Sequence, residues 1–276
     1  MKKVIIRTIT GLIFISIVIA SVCWSIYSFM LVFLLVTMLC QHEFYFLIHS
    51  DNIKPQKIAG FILGAFLFLS VALYAHNISG FGLVLLNIPL ACLIFVAEMY
   101  RKHETPFTNI AITLLGVYYI ALPLSLLNFF YSPFQITGEF RVQLLLGFFI
   151  ITWVTETAAY VAGNLFGKHL LFQRISPKKT WEGIIGAVLF GIITAFILSM
   201  VFKDFLFCHW LAIAMLIILA GTFGDLAESL FKRSCQVKDS GSLLPGHGGM
   251  LDRFDSILFA APFVFLYIYI FIANSL

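Results

Sequence analysis

The sequence has little charge and few cysteines. Asp, Glu, Lys and Arg make up 11% of the 276 residues, whereas soluble globular domains carry about 25% charge. Hydrophobic residues make up 61%, so the chain lacks the polar surface that a water-soluble globule needs. The five cysteines lie far apart without a CxxC or Cys/His spacing, and no Walker-type or GxGxxG phosphate loop is present. These absences exclude a soluble enzyme, a secreted disulfide scaffold and a disordered protein.

What the chain does have is a series of apolar runs. A bilayer core requires about 20 apolar residues per helix. Nine runs approach or exceed this length, at 8–23, 26–47, 58–75, 83–100, 107–131, 142–166, 182–202, 210–231 and 256–274. The pattern predicts an all-α, polytopic integral membrane protein with nine transmembrane helices and no cleavable signal peptide.

The placement of lysine and arginine orients these nine helices. Apart from Arg141 and Lys203, every lysine and arginine falls on the same side of the membrane as the N-terminus. The positive-inside rule then predicts a cytoplasmic N-terminus and a C-terminus on the opposite side. We expect a multi-pass protein of the cell's inner (cytoplasmic) membrane whose basic loops, and any active site among them, face the cytoplasm.

The second half of the chain carries acidic residues at membrane level. They are Glu156, Glu182, Asp225, Glu228, Asp252 and Asp255. A charge at a helix centre costs about 2.5–3.5 kcal/mol on insertion scales, so such residues usually mark a functional cavity. Asp225, Ser229 and Lys232 are spaced to share one helix face. Carboxylates beside lysine and arginine favour a bound Mg²⁺ that bridges the carboxylates and a phosphate. The alternative is that the acidic and basic side chains only form structural ion pairs with one another.

Two segments with basic residues stand out between the runs. They are residues 167–182 and the glycine-rich segment 232–255. Glycines allow a ligand to approach the backbone, and basic side chains neutralise phosphate. Backbone amides of residues 246–249 are therefore candidates for a phosphate cradle. His247 is open to three roles: metal ligand, general base or hydrogen-bond donor to phosphate.

These polar segments carry a recognisable signature. Its parts are Ser229-Leu-Phe-Lys232-Arg233, Lys238-Asp239-Ser240, Leu244-Pro245-Gly246-His247-Gly248-Gly249 and Leu251-Asp252-Arg253-Phe254-Asp255, supported by Ser176-Pro177-Lys178-Lys179-Thr180 and Gly224-Asp225-Leu226. Over about residues 150–255 the sequence resembles bacterial CTP:phosphatidate cytidylyltransferases (CDP-diacylglycerol synthases). One position departs from that pattern, because Glu156-Thr157 stands where Asp-Thr is expected.

The resemblance implies CMP transfer from CTP to phosphatidate, giving CDP-diacylglycerol and diphosphate with Mg²⁺ as cofactor. The candidate catalytic residues are Asp225, Asp252, Lys232 and Arg253. The candidate substrate-binding residues are Ser229, Arg233, Lys238, Asp239, His247, Gly248, Gly249, Ser176, Lys178, Lys179 and Glu182. The candidate metal ligands are Asp225 and Asp252, with Asp255 and Glu156 as further candidates. Whether residues 176–182 bind the nucleotide or the lipid head group is left open.

The same interpretation sets the domains and partners. A single membrane domain, 1–276, would consist of packing and lipid-facing helices in 1–141 and catalytic helices with cytoplasmic loops in 142–276. The expected partners are CTP, phosphatidate and the bilayer, with no nucleic acid. A second metal ion and a homodimer are left open.

Two other functions compete with this interpretation. An ion-coupled transporter also uses intramembrane carboxylates, but it predicts polar residues across the whole membrane depth and often inverted repeats. Here the acids cluster on the cytoplasmic side and no repeat is detectable. A CTP-dependent enzyme acting on another lipid, such as dolichol or phytol, is the second alternative, and the signature in residues 232–255 disfavours it.

Overall fold

The long apolar helices confirm the predicted class. The computed structural model describes residues 2–48, 52–131, 142–241, 243 and 248–273. Within these residues, eight helical segments are long and apolar enough to cross a membrane, and the N-terminal helix adds the shorter apolar stretch Ile9–Trp24. The chain is therefore an all-α, multi-pass membrane protein, whereas the orientation of its termini stays a prediction.

The chain divides into two compact units. The first combines Met1–Phe134 with Asp239–Phe254, and the second combines Gln135–Lys238 with Asp255–Leu276. The predicted division at residue 141 stays a prediction.

The first unit contains the N-terminal helices. They are α1 (Lys2–Trp24), α2 (Ile26–Ile48), α3 (Lys57–Ala75), α4 (Gly82–Leu85), α5 (Asn87–Arg101), α6 (Pro106–Gly116), a π-helical segment (Val117–Ala121), α7 (Leu122–Leu126) and α8 (Asn128–Tyr131). Two of the predicted continuous helices are interrupted here. Pro89 and Pro123 each lack the amide that would bond to a carbonyl one turn earlier, which accounts for the break at Leu86 and the wide turn before α7.

Glycines let α2 side chains pack closely against α3 and the end of α6. A Cβ atom at Gly60 or Gly116 would overlap the Tyr45 ring, and one at Gly64 would overlap the Gln41 amide. The Tyr45 hydroxyl donates to the carbonyl of Thr113 at 2.6 Å. The glycines therefore make room for two large α2 side chains at this interface.

The second unit contains the remaining helices and one hairpin. They are α9 (Val142–Phe166), β1 (Leu170–Phe172), β2 (Ser176–Thr180), α10 (Trp181–Val201), α11 (Phe207–Ser234), α12 (Leu251–Tyr267) and a second π-helical segment (Ile268–Ala273). The boundary between the units falls inside α12. In the second unit, Gly147 of α9 leaves room for the buried Trp210 ring of α11.

The hairpin and two helix ends beside the polar segments differ from the sequence-based expectation. Strands β1 and β2 pair antiparallel, with Phe172 opposite Ser176, where no strand was expected. Helix α11 extends past residue 231 to Ser234, and α12 begins at Leu251 rather than at 256. The polar connection is therefore residues 235–250, shorter than the predicted 232–255; below, the glycine loop means its described residues, 235–241, 243 and 248–250.

Candidate active site

Three carboxylates meet in the second unit. Asp225 and Glu228 of α11 and Asp255 of α12 each offer an oxygen within 4.8 Å of the others, and we call them the acidic cluster. Gly224 allows the two helices to approach this closely, because a Cβ atom there would lie 2.6 Å from the Asp255 carbonyl oxygen and 2.9 Å from the Phe259 Cβ. Three carboxylate groups, which are oxygen ligands, therefore lie close together where α11 and α12 approach each other.

Two lysines neutralise part of this acidic charge. The Lys179 ammonium lies 2.6 Å from Asp225 Oδ2 and donates to the Thr222 carbonyl at 3.2 Å. Lys232 forms an ion pair one helical turn away with Glu228, whose side chain is fully buried. Two ammonium groups beside three carboxylates leave one formal negative charge among these five groups.

The helical spacing of α11 brings Asp225 and Ser229 into contact. Ser229 Oγ donates to Asp225 Oδ1 at 3.3 Å, as expected for residues four apart. The Asp225 side chain keeps 35% of its surface exposed, whereas the Glu228 side chain is fully buried. The cluster therefore combines a buried carboxylate, Glu228, with an accessible one.

The hairpin places Lys179 next to the start of α10. Thr180 caps that helix by accepting a hydrogen bond from the Gly183 amide at 3.2 Å. The Glu182 carboxylate accepts hydrogen bonds from the His169 amide and lies 2.6 Å from the His169 Nδ1. Glu182 therefore ties the first turn of α10 to the residue before β1.

The other predicted residues of this segment differ in exposure. Lys178 points outward from β2 and is exposed, whereas Ser176 is half-buried. Their predicted substrate contacts stay predictions.

In the first unit, two carboxylates bind Ser240 and residues 249–251. Asp252 Oδ2 accepts hydrogen bonds from the Gly249 amide at 2.7 Å and the Ser240 amide at 3.0 Å. Gly248 has a φ of +81°, which favours glycine, and a Cβ atom there would overlap the Asp252 carboxylate. The Gly249 amide is thus bonded to Asp252, and its predicted place in a phosphate cradle stays a prediction.

The second of these carboxylates is Glu43 of α2. It accepts hydrogen bonds from Ser240 Oγ at 3.0 Å and from the Met250 and Leu251 amides at 2.8 Å. Sequence analysis missed this residue, because nothing near it in the chain signals a contact with residues some 200 positions away.

The remaining described candidates lie at the surface of the structure. Arg233, Lys238, Asp239 and Arg253 are exposed, and so is Glu156, which does not belong to the acidic cluster. An Arg233 NH1 donates to the Val237 carbonyl at 3.4 Å. His247 lies outside the described residues. The roles predicted for all of these residues stay predictions.

Comparison with known proteins gives consistent matches. Residues 5–271 match the model of the Cytidylyltransferase family. The chain is 42% identical over 184 residues to a phosphatidate cytidylyltransferase of Staphylococcus haemolyticus (strain JCSC1435), covering 64% of this chain and 68% of the relative. A protein of the same name from Staphylococcus aureus (strain COL) is 37% identical over 204 residues, covering 67% and 75%.

A third relative matches over a slightly shorter region. The phosphatidate cytidylyltransferase of Staphylococcus saprophyticus subsp. saprophyticus is 38% identical over 177 residues, covering 63% of this chain. The match spans 65% of that relative's own length, just under two thirds.

Proposed function

The chain belongs to the cytidylyltransferase family, and on that premise we propose that it transfers CMP from CTP to phosphatidate. The products are CDP-diacylglycerol and diphosphate. The observation that carries the proposal is the acidic cluster with its two lysines, in a membrane chain similar to proteins named for this reaction.

The donor set fits a divalent cation. Asp225, Glu228 and Asp255 supply carboxylate oxygens, the ligands that Mg²⁺ prefers, and they lie within 4.8 Å of one another. The residual negative charge of the five-residue group also favours a cation. When bound there, Mg²⁺ would neutralise phosphate charge and help to orient the triphosphate. The proposal that Asp252 and Glu156 are further ligands rests on the resemblance and the charge alone.

The reaction needs little proton transfer. A phosphatidate phosphate oxygen attacks the α-phosphorus of CTP, a new P–O bond forms, and the bond to the bridging oxygen of the departing diphosphate breaks. Both reactants are anions, so the barrier is dominated by charge repulsion and by positioning. Lys179 and Lys232 supply positive charge at the cluster, and the exposed Arg233, Lys238 and Arg253 are candidates for holding phosphates.

Structural ion pairing is the simpler explanation of the same residues. It accounts for Lys232 and Glu228, a buried pair one helical turn apart. It accounts less well for Asp225, which stays a third exposed although a lysine is beside it. A purely structural pair gains nothing from such access, whereas a substrate site requires it.

The membrane setting suits the two substrates. CTP is a water-soluble anion, and phosphatidate carries its phosphate at the membrane surface with its acyl chains in the bilayer. We place the acidic cluster on the cytoplasmic side of the inner membrane, because the basic segments of the chain fall on the cytoplasmic side by the positive-inside rule.

An acceptor panel tests this function. The purified chain is incubated with CTP labelled at the α-phosphate, Mg²⁺ and either phosphatidate or a prenol such as dolichol. We expect label in CDP-diacylglycerol only with phosphatidate. Label in a prenol product would favour the enzyme acting on another lipid, and no labelled lipid with either acceptor would refute CMP transfer to both.

A further inference from the structure

Glu43 binds the glycine loop from a distant part of the sequence. Its carboxylate lies on α2 and accepts three hydrogen bonds, from the Ser240 hydroxyl and the Met250 and Leu251 amides. The residue is 7% exposed. A carboxylate buried at membrane level is costly unless its oxygens are hydrogen-bonded, and these donors meet that requirement.

Two glycines of the loop are explained by the approach of Glu43. A Cβ atom at Gly241 would lie 2.7 Å from Glu43 Oε1, and one at Gly249 would overlap both the Glu43 carboxylate and the Ser240 hydroxyl. Any larger residue at either position would push the carboxylate away. The two glycines therefore provide room for a protein carboxylate.

Glu43 also completes the start of α12. The first amides of a helix lack partners within the helix and carry partial positive charge, so a carboxylate there is stabilising. The Met250 and Leu251 amides lie at this start, and Asp252 in the first turn binds the Gly249 amide. Glu43 and Asp252 thus connect Ser240 to residues 249–251, and Ser240 is bonded to both carboxylates.

We propose that Glu43 is a positioning residue for CMP transfer, holding the glycine loop and the first turn of α12 so that Asp252 and Arg253 keep a fixed orientation. The inference rests on the proposed function for its effect on activity. The anchoring itself rests on the hydrogen bonds alone.

Glu98 offers a matched control in the same unit. It is 3% exposed, and its carboxylate is held by Gln56, Asn109 and Arg101, none of which belongs to the glycine loop. Glu98→Gln removes a buried charge of the same kind without touching residues 235–250. Any general cost of losing a buried carboxylate should therefore appear in both variants.

The first measurement is kinetic. In Glu43→Gln, an amide nitrogen replaces one acceptor oxygen and faces a donor, so we expect kcat/KM for CDP-diacylglycerol formation to fall at least about tenfold. The loss should appear mainly in kcat, because the loop orients reacting groups. Glu43→Asp should recover part of it, since the charge is retained, while Glu98→Gln should stay within about twofold per folded molecule.

The second measurement does not depend on the activity. Hydrogen–deuterium exchange of the full chain in lipid nanodiscs reports protection of the Met250 and Leu251 amides. We expect Glu43→Gln to speed their exchange about tenfold, and Glu98→Gln to leave it unchanged.

The outcomes separate the two proposals. Unchanged exchange at 250–251 in Glu43→Gln would overturn the anchoring, whether or not the wild-type chain makes CDP-diacylglycerol. Equal activity losses in Glu43→Gln and Glu98→Gln would overturn the positioning role and would mean that Glu43 contributes only to the general stability of the chain. If the wild-type chain shows no CMP transfer, the proposed function fails. The exchange data still show whether Glu43 anchors the Met250 and Leu251 amides.

Discussion

The Lys179 ammonium on β2 lies 2.6 Å from the Asp225 carboxylate on α11. This ion pair fixes the hairpin to the acidic cluster. It also gives one lysine of the Ser176–Thr180 strand a defined electrostatic partner, whereas the neighbouring Lys178 points outward.

Replacing Lys179 tests this pair. In Lys179→Met the Asp225 carboxylate loses its cation, and a phosphate arriving at the cluster meets more negative charge. We expect kcat/KM for CMP transfer to fall about 100-fold, comparable with losing one preorganised contact to developing charge. Lys203→Met, which removes an exposed lysine between α10 and α11, serves as the control. A loss in Lys179→Met no larger than in this control would contradict the assignment.

Lys232 and Glu228 form a buried pair, so their variants should couple. Lys232→Met leaves Glu228 charged without its lysine and should destabilise the chain by about 3–5 kcal/mol, because breaking a buried ion pair strands a charge. In the double variant Lys232→Met/Glu228→Gln, thermal unfolding in detergent should return close to wild type while CMP transfer stays low. Recovery of activity together with stability would mean that the pair is only structural.

Gly224 sets how closely α11 and α12 approach. Gly224→Ala places a methyl group against the Asp255 carbonyl and Phe259, which forces the helices apart and separates Asp225 from Asp255. We expect an activity loss of about tenfold or more, since displacement of catalytic groups by an ångström can cost about 100-fold. Gly82→Ala is the matched control, because a Cβ atom at Gly82 meets nothing within 4 Å. Equal activity of the two variants would rule out this role for Gly224.

The acidic cluster should control the metal requirement. Asp225→Asn and Asp255→Asn each remove one anionic oxygen donor, so the Mg²⁺ concentration for half-maximal activity should rise about tenfold or more. Asp204→Asn, at an exposed position before α11, is the control and should not shift it. The Mg²⁺ titration is done on purified protein with phosphatidate in mixed micelles. An unchanged Mg²⁺ concentration for half-maximal activity in both cluster variants would refute the metal assignment.

Much of the fold could be predicted because membrane helices follow from composition alone. Apolar runs of sufficient length must form helices in a bilayer, and the structure places helices at all nine predicted runs. The Ser229 and Asp225 contact followed from helical spacing, and family membership followed from the signature and is confirmed by the family match.

The missed features depend on contacts between distant residues. Neither the β1–β2 hairpin nor the Lys179 ion pair has a local periodic signal, because strands of three and five residues are too short to show alternation. Glu43 of α2 was missed as well, since nothing near it in the sequence indicates that Ser240, Met250 and Leu251 donate hydrogen bonds to it.

The most direct test measures the reaction and its metal dependence together. The purified wild-type chain is given phosphatidate and CTP labelled at the α-phosphate, first with EDTA and then with Mg²⁺ restored, and both CDP-diacylglycerol and diphosphate are quantified. We predict no product with EDTA, and after Mg²⁺ addition equal amounts of both products in the wild type but almost none in Asp225→Asn. Product formation that is insensitive to EDTA, or equal in wild type and Asp225→Asn, would contradict metal-assisted CMP transfer at the acidic cluster.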